Sequence, residues 1–149
     1  MAKKIVIEII SALLVLLFVY AAISKLLDYS HFARFINRIP IIAPFSKQIA
    51  WIIPASELII CGLLAKRTKR LWGMYASFFL MFCFTAYLAI ILNFSTKLPC
   101  HCGGILQWMS WKQHIVFNIV FLLLSLIGIK MQLRENRSNY QIEKLVQLQ

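Results

Sequence analysis

The chain has 149 residues, of which 61% are hydrophobic and only 14% carry a charged side chain. Soluble domains average about 45–50% apolar and about 25% charged residues, so this chain lacks the polar side chains to cover its surface in water. The length fits one domain, and the composition excludes an ordinary soluble one.

Basic residues outnumber acidic residues by 16 to 5, which gives a net charge of +11. In a soluble protein such an excess would suggest binding to nucleic acid. Here most of the lysines and arginines lie between apolar segments, where the positive-inside rule and anionic lipid headgroups account for them. We therefore expect a lipid bilayer as the partner of this surface, and no nucleic acid.

Four apolar segments approach the length of about 20 residues that a helix needs to cross a bilayer. They occupy residues 5–24, 49–65, 71–94 and 112–129. None shows the alternation of a membrane β-strand. The sequence therefore predicts an all-α fold, a four-transmembrane-helix bundle over residues 1–130. The polar tail over residues 131–149 either extends the fourth helix or frays in the cytoplasm.

The stretch between the first two spans, residues 26–47, is too polar to cross the membrane. Its apolar residues recur at helical spacing among basic ones, at Phe32, Phe35, Ile36 and Ile39. This pattern is typical of a short amphipathic helix lying at the outer interface. An irregular loop over the bundle is the alternative.

The distribution of basic residues predicts the orientation of the chain. Ten lysines and arginines fall on the side that holds both termini and the short turn at residues 66–70, and six fall on the other side. The positive-inside rule then places both termini in the cytoplasm. We expect a multi-pass protein of the bacterial inner membrane, with the loop that carries Cys100 and Cys102 facing the periplasm.

The sharpest chemical motif is Cys100-His101-Cys102 in the third loop. Two thiols one residue apart can close a small, strained disulfide ring, which favours exchange over structural cross-linking. His101 can supply positive charge that favours the attacking thiolate. A structural disulfide is one alternative. A metal site completed by His101 and His114 is another, and its most plausible form is a copper site with His101. The cysteine spacing is shorter than in zinc pairs, and we assign no metal ligand.

Two polar positions in the first two spans form a candidate cofactor or proton site. Glu57 lies near the middle of the second span, where a carboxylate must be protonated, paired or facing a polar cavity. Lys25 ends the first span and can pair with Asp28 or reach inward to Glu57. A proton relay or a quinone-binding acid is one interpretation. A hydrogen bond that only packs the helices is the other.

The fourth span adds His114 and Asn118, which are four residues apart and share one helix face. They are suited to binding a quinone carbonyl, or His114 could act as a general acid toward a leaving thiolate. Helix packing is again the alternative. Cys61 and Cys83 are expected to be buried as small apolar side chains. Glu8 is expected to pair with a neighbouring helix or snorkel, without a functional role.

With these residues in view, the chain resembles the MauE/DoxX family of small four-helix membrane proteins. The matching segments are AAISKLLD at 21–28, PASELIICGLL at 54–64 and CHCGG at 100–104. The resemblance implies thiol chemistry in the outer compartment. MauE-like proteins are associated with maturation of disulfide-rich partners and accompany thioredoxin-like proteins, whereas DoxX-like relatives are associated with quinone chemistry.

We therefore expect thiol–disulfide exchange at the outer face, through Cys100 and Cys102, with a thioredoxin-like partner or in maturation of a disulfide-containing protein. The polar residues Lys25, Glu57 and His114 would couple that exchange to a quinone or a proton. The competing function is a non-enzymatic assembly subunit whose disulfide fixes the outer loop. A transporter is the weakest option, since four spans would need to form an oligomer and no inverted repeat is visible.

Overall fold

The computed structural model describes residues 2–37, 43–94 and 111–147, and these are helical apart from short turns. The helices are α1 (Ala2–Leu27), α2 (Tyr29–Asn37), α3 (Ser46–Ala65), α4 (Arg70–Phe94) and α5 (Trp111–Gln147), with a 3-10 turn at Ala43–Phe45. The four long helices α1, α3, α4 and α5 are each long and apolar enough to cross a membrane. The predicted all-α, four-span fold is confirmed.

The four long helices form a ring in which each packs against two neighbours. Helix α1 lies beside α3 and α5, and α4 lies beside α3 and α5, whereas α1 and α4 face each other across the bundle with little contact. Helix α2 packs on α3. The bundle interior therefore lies between α1 and α4, and side chains from all the long helices can reach it.

Each span is longer than the apolar segment that predicted it. Helix α5 differs most, because it continues from the apolar segment through the polar tail to Gln147. Residues 130–147 contain no glycine or proline and are rich in Gln, Leu, Arg, Glu and Lys, which are good helix formers. Of the two alternatives for the tail, extension of the fourth helix is the one present.

The amphipathic helix expected after the first span is also present, as α2. Its buried residues Phe32 and Ile36 are one turn apart and pack with Ala50 of α3. At the start of α2, the Tyr29 ring lies 5.6 Å from the ring of Trp51. These contacts dock the helix on the bundle, so the irregular-loop alternative is wrong for residues 29–37.

Regular spacing of buried residues carries polar side chains into the core. In α1 the buried residues recur at helical intervals and end with Lys25; they are Ile7, Ile10, Ser11, Leu14, Phe18, Ala22 and Lys25. Glu57 holds the equivalent place in α3, between buried Pro54 and Ile60. The α5 face contributes His114 and Asn118 to the same interior. Burial of these four residues thus follows from the helical repeat.

A tight turn at residues 66–69 joins α3 and α4. Its backbone is closed by a hydrogen bond from Lys69 N to Lys66 O, 3.0 Å long. Immediately beyond it, α4 approaches α3 so closely that a Cβ on Gly73 would lie 2.8 Å from the backbone nitrogen of Leu64. Glycine is therefore required at this position by close helix packing.

Candidate functional site

The centre of the candidate site is an ion pair between α1 and α3. Lys25 Nζ lies 2.7 Å from Glu57 Oε1, and the two side chains are only 9% and 7% exposed. Of the two partners expected for Lys25, the structure selects Glu57 and not Asp28. Pairing and hydrogen bonding compensate part of the cost of keeping both charges away from water.

The surroundings of Lys25 satisfy its ammonium group further. Nζ donates a second hydrogen bond to the backbone oxygen of Ala21, at 3.2 Å. It also lies 5.9 Å from the ring centroid of Phe32, within reach of a cation–π interaction. Helix α2 therefore covers the charged end of α1. Phe32 both packs α2 against α3 and contacts the Lys25 ammonium.

His114 and Asn118 are buried on the face of α5 that points into the bundle, at 4% and 3% exposure. The imidazole of His114 lies 5.9 Å from the ring of Phe84 on α4, in a tilted arrangement. These two residues line the same cavity as Lys25 and Glu57. The structure therefore brings together the four residues named for a cofactor or proton site.

The cavity that these residues share has a volume of about 260 Å³. Helices α1 to α5 all contribute side chains to it. Most of its wall is apolar and aromatic, and the aromatic members are Phe18, Phe32, Phe35, Phe84, Tyr87 and Phe117. Sequence reasoning placed Phe32 and Phe35 on an amphipathic helix but assigned none of these rings to a cavity. The three-residue spacing of Phe84 and Tyr87 is the signal that could have placed those two on a shared helix face.

Glu57 Oε2 and Asn118 Nδ2 are buried in the wall, and neither has a hydrogen-bond partner among the residues that the structure describes. One is an acceptor and the other is a donor. Buried polar atoms normally find a partner, and an unpartnered one is costly. The cavity therefore offers a mostly apolar space with one hydrogen-bond donor and one acceptor left to satisfy.

The motif residues Cys100, His101 and Cys102 lie outside the described residues. The segment that contains them connects Phe94, at the end of α4, with Trp111, at the start of α5. His114 lies three residues into α5, a rise of about 4.5 Å along the helix. Tyr87 lies seven residues before the end of α4. Both helix ends that flank the motif thus supply residues to the cavity wall.

The other two cysteines differ from each other. Cys61 is buried as expected, and its Sγ lies 3.7 Å from the backbone oxygen of Val15. Cys83 is exposed, so the expectation that it is buried is wrong. Its position on α4 directs the side chain toward the bundle surface, at the edge of the cavity that it helps to line. Within the described ranges, no group of three or more His, Cys, Asp or Glu could hold a metal ion.

The fold and the site define a class: a multi-pass membrane protein with a buried ion pair beside an apolar cavity. The family model described as "Methylamine utilisation protein MauE" matches residues 3–131. This range includes all four spans and the Cys100–Cys102 segment, so the chain belongs to the MauE family. Comparison with curated proteins and with solved structures gave no match.

Proposed function

We propose that this protein performs thiol–disulfide exchange at the outer face of the membrane, through Cys100 and Cys102, and that it serves the maturation of a disulfide-containing protein. Methylamine utilisation, the process in the family's description, is the proposed setting. The observation that carries the proposal is the cavity with a buried ion pair, which lies beside the helix ends that the Cys segment connects.

The exchange itself is balanced between two sulfur pairs. A thiolate of one pair attacks a sulfur of the other pair's disulfide, a mixed disulfide forms, and the second thiol of the attacking pair resolves it. One disulfide is reduced to two thiols while two thiols are oxidised to a disulfide. With a thioredoxin-like partner, a single turnover therefore needs no further oxidant or reductant.

The buried site supplies what repeated turnover requires, a place where charge can be accommodated inside the membrane. Lys25 holds Glu57 by its Oε1 atom, which leaves Oε2 available to a ligand or a proton. Asn118 offers an unpartnered N–H donor from the opposite side of the bundle. His114, one turn nearer the start of α5 than Asn118, would carry a proton between this site and the thiol pair.

The same residues fit a quinone-type ring. The aromatic walls accept a flat apolar group, and the Asn118 amide would donate to a carbonyl oxygen. When bound, a quinone would supply a two-electron, two-proton couple to which the thiol pair could be linked. Lys25 and Glu57 would hold the protons and charges of that couple away from lipid.

The double variant Cys100→Ser/Cys102→Ser tests the proposed function directly. In membranes that contain the disulfide-forming partner, we expect the partner's thiols to keep their starting redox state, measured by alkylation and mass shift. Cys61→Ser is the matched control, because Cys61 lies outside the motif and outside the cavity wall, and a serine hydroxyl can keep the hydrogen bond to Val15 O. It removes one thiol and should leave exchange unchanged.

An accessory subunit with a structural disulfide gives a different result. The double variant would then fold and insert normally, and the partner's oxidation would proceed at the wild-type rate. Titration of the Cys100–Cys102 pair against thiol buffers separates the two functions further. A reduction potential below about −300 mV would indicate a structural bridge. A higher potential that responds to added quinone would support coupling to the buried site.

A further inference from the structure

A second cavity lies at the other end of the bundle. It has a volume of about 270 Å³ and lies among the first turns of α1, the α3–α4 turn and the extension of α5. Its wall contains both charge types and several amides, at Lys4, Glu8, Arg67, Thr68, Arg70, Gln132, Glu135, Asn136 and Asn139. We name it the basal cavity. None of these residues belongs to the site described above.

The charged groups around the basal cavity are joined in pairs between different elements. Arg67 of the turn lies 2.8 Å from Glu8 of α1, and Lys4 of α1 lies 3.3 Å from Glu135 of α5. Arg70 adds a third cation to the wall. The wall therefore has one more cation than carboxylate, and its oppositely charged groups are held side by side.

One wall residue is left incompletely satisfied. Gln132 is only 9% exposed, and its Nε2 donates to Asn136 Oδ1 at 3.0 Å. Its Oε1 has no hydrogen-bond partner among the described residues. A buried amide oxygen without a donor is costly, so a ligand that brings a donor would be stabilised there.

The position of the basal cavity relative to the membrane spans restricts the class of ligand that can reach it. It lies where the spans of α1, α3 and α4 begin or end, which in a membrane protein is the layer of phospholipid headgroups. Helix α5 continues past this layer and forms one wall. The groups that reach this layer from the bilayer are phosphodiesters that carry a distal substituent.

We propose that the basal cavity binds the headgroup of a phospholipid whose distal group donates hydrogen bonds, such as the ammonium of phosphatidylethanolamine or the hydroxyls of phosphatidylglycerol. Arg67, Arg70 and Lys4 would donate charge-assisted hydrogen bonds to the phosphate oxygens. The distal donor would reach Gln132 Oε1, because the carboxylates of Glu8 and Glu135 are already paired with Arg67 and Lys4. Phosphatidylcholine, whose distal group has no N–H or O–H, would leave the Gln132 oxygen without a partner.

Native mass spectrometry of the purified full chain tests this proposal, with dioctanoyl forms of the three lipids added at equal concentration. We expect phosphatidylethanolamine and phosphatidylglycerol to bind about tenfold more tightly than phosphatidylcholine, the difference that one hydrogen bond to a buried acceptor can give. Arg67→Gln should weaken binding of all three lipids. Gln132→Leu should remove the preference and bring the first two lipids to the level of phosphatidylcholine.

Two further variants keep the result interpretable. Gln141→Leu alters an exposed glutamine of the same helix outside the cavity, and it should leave the preference intact. Gln132→Glu keeps an acceptor at the same place, so it should retain the preference if Gln132→Leu loses it without unfolding. Equal binding of all three lipids to the wild type would overturn the proposal. So would a preference that follows net lipid charge alone, or one that Gln132→Leu does not change.

Discussion

Two ion pairs at opposite ends of the bundle have almost the same length and very different surroundings. Lys25–Glu57 measures 2.7 Å and Arg67–Glu8 measures 2.8 Å. The side chains of the first pair are 9% and 7% exposed, and those of the second are 81% and 48% exposed. Distance alone would rank them as equal. Burial separates them, because water screens the second pair and hardly reaches the first.

The difference in burial indicates which of the two ion pairs is the better candidate for a functional role. The exposed pair costs little to form and contributes little, so its position is explained by the basic turn that faces the headgroups. The buried pair requires that two charges leave water, which a helix bundle can avoid by using apolar residues. Lys25 and Glu57 nevertheless occupy core positions beside a cavity, and this is why we propose a role for them beyond packing.

The largest effect is expected from breaking the buried pair on one side only. Glu57→Leu leaves the Lys25 ammonium without its carboxylate, and we expect a loss of about 3–5 kcal/mol in the free energy of unfolding. The double variant Lys25→Met/Glu57→Leu removes both charges and should recover most of that loss. Unfolding of the purified protein in mixed micelles, followed by circular dichroism, measures both.

The double variant also separates stability from function. If the pair serves only packing, the double variant should keep wild-type exchange with the partner protein. We expect it to be stable and unable to couple exchange to added quinone. If the Glu57→Leu variant were as stable as the wild type, the Lys25–Glu57 ion pair would not be the buried, tightly coupled pair described above.

A second large effect is expected at Gly73, which allows the close approach of α4 to α3 near the turn that joins them. In Gly73→Ala the new Cβ would lie 2.8 Å from Leu64 N, so the helices must separate. We expect a loss of about 1–3 kcal/mol, typical of overpacking. Gly62→Ala is the matched control in the neighbouring helix, since a Cβ there meets nothing within 4 Å. Equal stability of the two variants would contradict the close approach.

A smaller effect of opposite sign is expected at Asn118. Its Nδ2 is buried and has no hydrogen-bond partner within the described ranges, so Asn118→Leu replaces an unsatisfied donor by an apolar group. We expect unfolding to be unchanged or harder by about 1 kcal/mol. At the same time, affinity for a quinone analogue should fall about tenfold, measured by quenching of tryptophan fluorescence. A variant that is destabilised and still binds the analogue would assign Asn118 to packing.

Much of the fold could be predicted because each transmembrane segment carries its own signal. Helices α1, α3 and α4 each follow from one apolar segment of the right length, and α2 follows from the spacing of Phe32 and Ile36. The far end of α5 could not be fixed in the same way. Most of its residues after Ile129 are polar. Hydropathy distinguishes a membrane-spanning segment from a water-exposed one, but it does not distinguish a polar helix from a polar coil.

The candidate site was predictable in part for a related reason. A charge within an apolar segment stands out, which is how Lys25 and Glu57 were found. The aromatic wall was not found, because Phe84 or Phe117 in a membrane span looks like any other lipid-facing or core residue. Cys83 was misjudged for the same reason. Which face of an apolar helix turns inward depends on its neighbours, and the sequence of one helix does not contain them.

The smallest effect is expected from breaking the exposed pair, and it completes the comparison of the two ends. Arg67→Gln should lower the free energy of unfolding by less than about 1 kcal/mol, since both side chains are largely exposed. Raising the salt concentration from about 0.05 to 0.5 M should remove even this difference, because ions screen exposed charges. The loss caused by Glu57→Leu should survive the same salt, because ions do not reach the buried ammonium. A large, salt-resistant loss in Arg67→Gln would mean that this pair is shielded, for example by a lipid headgroup bound in the basal cavity.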